Sequence, residues 1–400
     1  MLTLRLMPLV AVLLTACGTV ARMPSEPATI DAAAPLGIPG ILRVWGDDIA
    51  DDRLEALEQS LIRRAKLMHR DALTAGEPAT ETILALSGGG ADGAFGAGVL
   101  AGWTERGDRP VFDVVSGVST GAIIGLFAFL GPEYDDDLRR FYTEYSTDQL
   151  FEPSPFAALT GGTSLSDTAG YNALIDETID EQIVAALAEE ADVGRILLIG
   201  TTNLDSARPV IWNVTEVART RHPRAIELIR DLVRASSAIP ALFPPVLIPT
   251  VAPDGRVRDE LHVDGGATQQ VMVFSPELPI SRIDRALGAK IDRRLYVIVN
   301  NTLQKSYNPV DLGVLSIAGK AVSSLIGGSG TGDLYKIYAI TERDGVDFRV
   351  LWVPQSFDRE PTEPFDTAYM SALYAVGRAI GRSDAPWHQR PPSFVVDPAQ

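Results

Sequence analysis

The chain has 400 residues, of which 46% are hydrophobic and 22% charged, an ordinary globular composition that supplies one large core or two smaller ones. A formal net charge of −17 at pH 7 repels phosphate backbones and anionic surfaces, which excludes nucleic acid as a natural partner. Cys17 is the single cysteine, so neither an internal disulfide nor a cysteine-based metal cluster is available.

In chain order, the first residues carry one cation, Arg5, and then an apolar run from Leu6 to Ala16 that is too short to span a bilayer. This pattern predicts a signal peptide over residues 1–16. Its end, Leu14-Thr15-Ala16-Cys17-Gly18, resembles the bacterial lipobox, which implies cleavage before Cys17 and lipidation of its thiol. The expected location is therefore the cell envelope, with Gly18 in place of Asp implying the outer membrane. Residues 17–47, rich in Pro, Ala and Gly without periodicity, are expected to form a flexible tether. Leu54, Leu57, Leu61, Ala65 and Met68 recur at helical spacing, so residues 48–80 are expected to hold an amphipathic helix packed on the main domain.

From Glu81 onward, apolar runs such as "TILALS", "VFDVVSGVS", "RILLIGTTN", "PVIWNV", "LHVDGG" and "RLYVIVNN" alternate with helical segments. Runs apolar on both faces predict a mostly parallel sheet covered by helices on either side, an α/β fold with three layers. No linker-like break occurs after residue 81, so residues 81–308 read as one domain and 309–400 as its C-terminal extension. That extension is expected to contain a helix near Val310–Leu325, a Gly-Ser loop at "GGSGTGD", a strand at "DFRVLWV" and a last helix.

Gly88-Gly89-Gly90-Ala91-Asp92-Gly93 satisfies the dinucleotide pattern G-x-G-x-x-G. A dinucleotide site also needs an acid at the carboxyl end of the next strand. Asp113 has about the right spacing but precedes its strand, at the wrong end. The carboxyl end of that strand instead runs into Gly117-Val118-Ser119-Thr120-Gly121, a G-x-S-x-G between a strand and a helix, the context of a nucleophile elbow. The glycine loop then suits a different task, presenting backbone N–H groups to the oxyanion of ester hydrolysis, where a single donor is worth roughly 3 kcal/mol. A serine needs a base, and His69, His222 and His388 sit in a helix, a loop and a Pro-rich tail, while His262 lines a strand. Asp264-Gly265-Gly266 ends an apolar run, where a carboxylate reaches the same edge of the sheet.

Glycine loop, elbow and D-G-G, in this order and with "RASSAIPALFPPV" (234–246) before the aspartate, resemble the patatin-like phospholipase family over about residues 82–300. The resemblance implies a Ser-Asp dyad, with Ser119 as nucleophile and Asp264 as proton acceptor. It implies an oxyanion hole drawn from Gly88, Gly89, Gly90, Ala91, Gly93 and Thr120, with Gly117, Gly121, Gly265 and Gly266 as motif glycines. It implies a lipid ester as substrate, of phospholipase A or lysophospholipase type, membrane contact through the N-terminal anchor, and neither metal nor organic cofactor. One departure stands out. The family's loop usually carries Arg or Lys where this chain has Asp92, which leaves two readings. Asp92 is either solvent-facing or bracing the loop, or it marks a preference away from strongly anionic phospholipids. Two alternatives accompany the dyad: an esterase with the order Ser119, Asp264, His388, and a lipoprotein that keeps the fold as a binding factor.

Overall fold

The computed structural model describes residues 22–154, 163–273, 275–303, 307, 309–384 and 386–392. The signal peptide and Cys17 lie outside these residues. Eight strands, β1 (Ala79–Leu86), β2 (Val114–Val118), β3 (Ile196–Asn203), β4 (Arg208–Asn213), β5 (Val246–Val251), β6 (Val257–Asp264), β7 (Ile291–Val299) and β8 (Asp347–Trp352), join two short ones, Ala34–Pro35 and Arg43–Trp45, in a ten-stranded sheet. The sheet is mixed, and its middle is parallel in the order β8-β7-β1-β2-β3. The principal helices are α1 (Asp51–Met68), α2 (Gly93–Arg106), α3 (Thr120–Leu130), α4 (Ala225–Ser236), α5 (Val314–Asp344) and α6 (Thr367–Gly381).

Strand periodicity sorts the core into two layers. Leu84 and Leu86 of β1, with Ile298 of β7, pack with Phe95, Leu100 and Ile124 of α2 and α3. Their neighbours Ile83, Ala85, Leu295 and Val297 point the other way and meet Leu334, Ile337 and Tyr338 of α5. α3 is apolar on every face because it is buried on every face. α2 and α6 pack backbone to backbone. A Cβ added at Gly98 would fall 2.1 Å from Tyr374 O, and one at Gly377 would fall 2.2 Å from Phe95 O.

The pairing of β3 determines where the site forms. Its first residues run parallel to β2, from Val114↔Ile196 to Val118↔Gly200. Its last three, Thr201 to Asn203, pair antiparallel with β6, in the register Asp264↔Thr201. Since β4 occupies the opposite edge along Leu198 to Asn203, β2 and β6 share one edge of β3 and their carboxyl ends meet head on.

Three expectations need correction. Residues 22–47 are not a tether: Leu36, Ile38 and Leu42 are buried, the two short strands pair with β5 and β4, and Arg43 Nη2 donates to Glu260 Oε1 at 2.7 Å. A few single anchors hold this segment, which is why no periodicity announces it. The helix expected over 48–80 spans Asp51–Met68 and gives way to a short helix Arg70–Ala75 that ends at Gly76 (φ 68°), and β1 begins at Ala79. The segment "GGSGTGD" is not a loop but part of the continuous helix α5. The C-terminal region also supplies β8, which completes the parallel side of the sheet against β7, and α6.

Candidate active site

Ser119 sits between β2 and α3 with φ 55° and ψ −126°, a conformation that costs a non-glycine residue roughly 1–3 kcal/mol and holds its side chain out at the turn. Glycine is required on either side. A Cβ at Gly117 would fall 2.1 Å from Gly121 O, and one at Gly121 would fall 2.4 Å from Leu86 O. Ser236 clamps the turn: its Oγ accepts the Ser119 N–H at 2.8 Å and donates to Gly200 O at 2.7 Å. Tyr142 Oη donates to Thr120 O at 3.1 Å and bonds the Thr120 hydroxyl.

Because β2 and β6 end against each other, Ser119 Oγ donates to Asp264 Oδ2 at 2.6 Å across 145 residues of chain. Asp264 Oδ1 accepts the Gly266 N–H at 2.7 Å, which fixes the carboxylate plane. Asp264 is 3% and Ser119 6% exposed. Burial pushes the Asp264 carboxyl up to about 6, against the opposing pull of the bonds from Ser119 and Gly266. An aspartate in this state is ionised at neutral pH yet far more basic than one in water.

The glycine loop lies beside the serine, since a Cβ on Gly88 would come within 3.2 Å of Ser119 Cβ. Gly90 adopts φ 57°. Of the six residues expected to form an oxyanion hole, two have their N–H committed elsewhere: Gly88 donates to Gln270 O at 3.1 Å, and Gly93 donates into the turn at Gly90 and Ala91. Both position the loop. Among the described residues, no group accepts the N–H of Gly89, Gly90, Ala91 or Thr120, and Thr120 opens α3, whose dipole favours negative charge there. Asp92 is not solvent-facing. Its Oδ1 accepts the Tyr369 hydroxyl at 2.6 Å, tying the loop to the first turn of α6, and burial, reinforced by Glu360, pushes its carboxyl up to about 6.

The histidines lie apart from Ser119. His388 pairs its backbone with Val350 on β8, three strands or roughly 14 Å from β2, and stacks on Trp352. His262 is fully buried, with Nδ1 3.0 Å from Thr201 Oγ1 and Nε2 3.4 Å from Glu260 Oε2, His69 lies between α1 and the short helix after it, and the His222 ring accepts the Arg224 N–H. Asp113, at the wrong end of its strand for a ribose ligand, lies before β2 and accepts the Thr82 N–H at 2.7 Å. Among the described residues, no three His, Cys, Asp or Glu side chains gather as metal ligands.

Several positioning residues carry no signal in the sequence. Gln270, 4% exposed, packs its amide against Gly88 and Gly266 and joins loop to turn. Asn300 Nδ2 donates to Ser87 O, and Asn301 Nδ2 to Gly88 O, both at 2.9 Å. Ser236 lies in the "RASSAIPALFPPV" block, whose resemblance signalled importance but not this clamp. A cavity of about 520 Å³ is lined by Thr168, Tyr171, Arg234, Ser237, Ala238 and Phe243 among others. It is one hydrogen bond from the carboxylate residue, since Asp264 N donates to Ala238 O at 2.9 Å.

Residues 84–275 match the family model described as Patatin-like phospholipase. Among solved structures, VipD from Legionella pneumophila is similar at 13% identity and a TM-score of 0.37, over 76% of this chain and 67% of that one. Human GIVD cytosolic phospholipase A2 is similar at 10% identity and a TM-score of 0.32, over 82% of this chain and 56% of that one. No curated protein sequence matches significantly. The family match runs from within β1 to beyond the turn after β6, the stretch that carries the loop, the elbow and Asp264. Residues 84–275, just under half of the chain, therefore carry a patatin-like phospholipase domain, which supports a lipid acyl hydrolase activity.

Proposed function

We propose that the protein cleaves carboxylic ester bonds of membrane lipids, as a phospholipase A or lysophospholipase, through a Ser119–Asp264 dyad. The observation that carries this reading is the 2.6 Å hydrogen bond from Ser119 Oγ to Asp264 Oδ2. The ester carbonyl enters with its oxygen toward the free N–H groups of Gly89, Gly90, Ala91 and Thr120. Ser119 Oγ attacks the carbonyl carbon as its proton passes to Asp264 Oδ2, and the negative charge moves onto the carbonyl oxygen, where these donors meet it. Collapse of the tetrahedral intermediate breaks the bond to the alcohol, which leaves with the proton returned by Asp264. Water then attacks the acyl-enzyme as Asp264 takes its proton, the bond from the acyl carbon to Ser119 Oγ breaks, Asp264 returns the proton to that oxygen, and the fatty acid departs.

The cavity walled by Tyr171, Arg234 and Ser237 provides the volume for the departing alcohol or the acyl chain. The same reading keeps the enzyme at the bacterial envelope, held on the outer membrane by a lipid on Cys17. A fluorophosphonate probe tests it: covalent mass should appear on the tryptic peptide containing Ser119 and vanish in Ser119→Ala, whereas an unlabelled wild-type protein would refute the nucleophile.

A further inference from the structure

The two halves of α5 differ in burial at their described positions. Its carboxyl-terminal half buries Leu334, Ile337, Tyr338 and Thr341. Upstream of Leu334 none of the helix's described side chains is buried: Ile317 is 51% and Leu325 74% exposed, and Leu312 just before the helix is 100% exposed. A Cβ at Gly327, Gly328 or Gly332 would meet nothing within 4 Å, so the helix surface at these glycines is open. From Val314 to Gly330 the helix extends roughly 25 Å.

The amino-terminal half has an ordered composition. Between Leu312 and Gly332 the sole charged residue is Lys320, in a chain whose net charge is −17. At about 100° per residue, Ile317, Ala321 and Leu325 fall within one stripe roughly 80° wide, and Lys320 flanks it. Solvent is a poor environment for such a stripe. The helix is also joined to the candidate active site: Gly330 lies against the Gln270 side chain, Asp333 Oδ2 accepts the Gln270 N–H at 2.7 Å, and Gln270 O accepts from Gly88 of the glycine loop.

We propose that the amino-terminal half of α5 is an interfacial docking element, which lays its Ile317–Ala321–Leu325 stripe into the acyl boundary of a bilayer and thereby presents the active-site mouth to the lipid surface. The occupant is a lipid surface because the stripe is uncharged, begins beside a site that acts on lipid, and carries a flanking lysine whose stem can lie along acyl chains with its ammonium among head groups. The helix does not need to span. Among the described residues no helix is long and apolar enough to cross a membrane. The proposal rests on the lipid-hydrolase reading for its orientation, but it makes a separate physical claim.

The test uses the full chain with Cys17→Ser, so that a single new cysteine can be labelled with an environment-sensitive nitrobenzoxadiazole dye. Leu325→Cys is compared with Val193→Cys, an exposed position before β3 at the opposite end of the sheet. On addition of phosphatidylcholine vesicles, the label at 325 should shift to the blue and brighten about threefold, while the label at 193 stays unchanged. An unshifted label at 325, or a shift that tracks protein concentration without vesicles and so reports self-association, overturns the proposal. In the unlabelled protein, Ile317→Asp with Leu325→Asp should lower hydrolysis of vesicle lipid about tenfold or more and leave hydrolysis of a water-soluble short-chain ester intact. Equal loss on both substrates, or on neither, contradicts it. The label experiment is independent of catalysis, so its outcome is distinguishable from a failure of the dyad.

Discussion

Ser119 and Asp264 meet because their strands end against the same edge of β3, Val118 opposite Gly200 and Asp264 opposite Thr201. Their contact is a consequence of backbone register, which ties the pair to the sheet instead of to a loop. The Ser236 hydroxyl bridges that junction from Ser119 N to Gly200 O.

The rate should track the ionisation of Asp264. Its carboxyl is pushed up to about 6 by burial, so the base is lost as pH falls through that value. Below it, kcat/KM for a neutral soluble ester should drop about tenfold per pH unit. Asp92 is also pushed up to about 6, and a profile measured on Asp92→Asn separates the two: the acid limb persists if it belongs to Asp264.

The same buried carboxylate should destabilise the fold at neutral pH. A group whose pKa is raised in the folded state contributes stability below its unfolded value, near 3.8, and loses it as pH rises through about 6. Asp264→Asn is neutral throughout and retains an oxygen for the Gly266 N–H. It should therefore melt several degrees above wild type at pH 7.5, a gain on the order of 2–3 kcal/mol, with the two curves converging near pH 4. Calorimetry at both pH values checks this.

Tyr369 positions the glycine loop through Asp92. Removing its hydroxyl leaves a half-buried carboxylate without this donor, at a cost of about 1 kcal/mol. Tyr369→Phe should lower kcat several-fold with little change in KM for a small ester. A double-mutant cycle with Asp92→Asn should give a coupling of about 1 kcal/mol in stability, and no coupling would show that the bond does not brace the loop.

Gly98→Ala sets helix propensity against packing. In an exposed helix the change would stabilise by about 1 kcal/mol. Here the new methyl would lie 2.1 Å from Tyr374 O, a backbone atom that moves only if α6 lifts from α2. Urea denaturation should show a net loss of about 3 kcal/mol.

Local chemistry was legible, and distant partnership was not. The elbow, the glycine loop and Asp264 are short motifs whose residue types state their geometry, and continuous apolar runs mark strands buried on both faces. The packing of residues 22–47 depends on isolated contacts such as Arg43 to Glu260, which leave no period to read. Glycines and serines at 327–332 suggested a loop because their helix propensity is weak, yet they lie within α5. Tyr369 and Gln270 act on the loop from far along the chain, and nothing beside them in sequence marks that role. Asp92, the family departure, became intelligible only with Tyr369 opposite it.

The most direct test of the dyad is kcat/KM for a soluble short-chain p-nitrophenyl ester, measured on the full chain, Ser119→Ala and Asp264→Asn, each confirmed folded by its melting transition. The wild type should turn over the ester, each single variant should lose on the order of a thousandfold or more, and the double variant should be no worse than either. Wild-type turnover in either single variant would contradict the dyad.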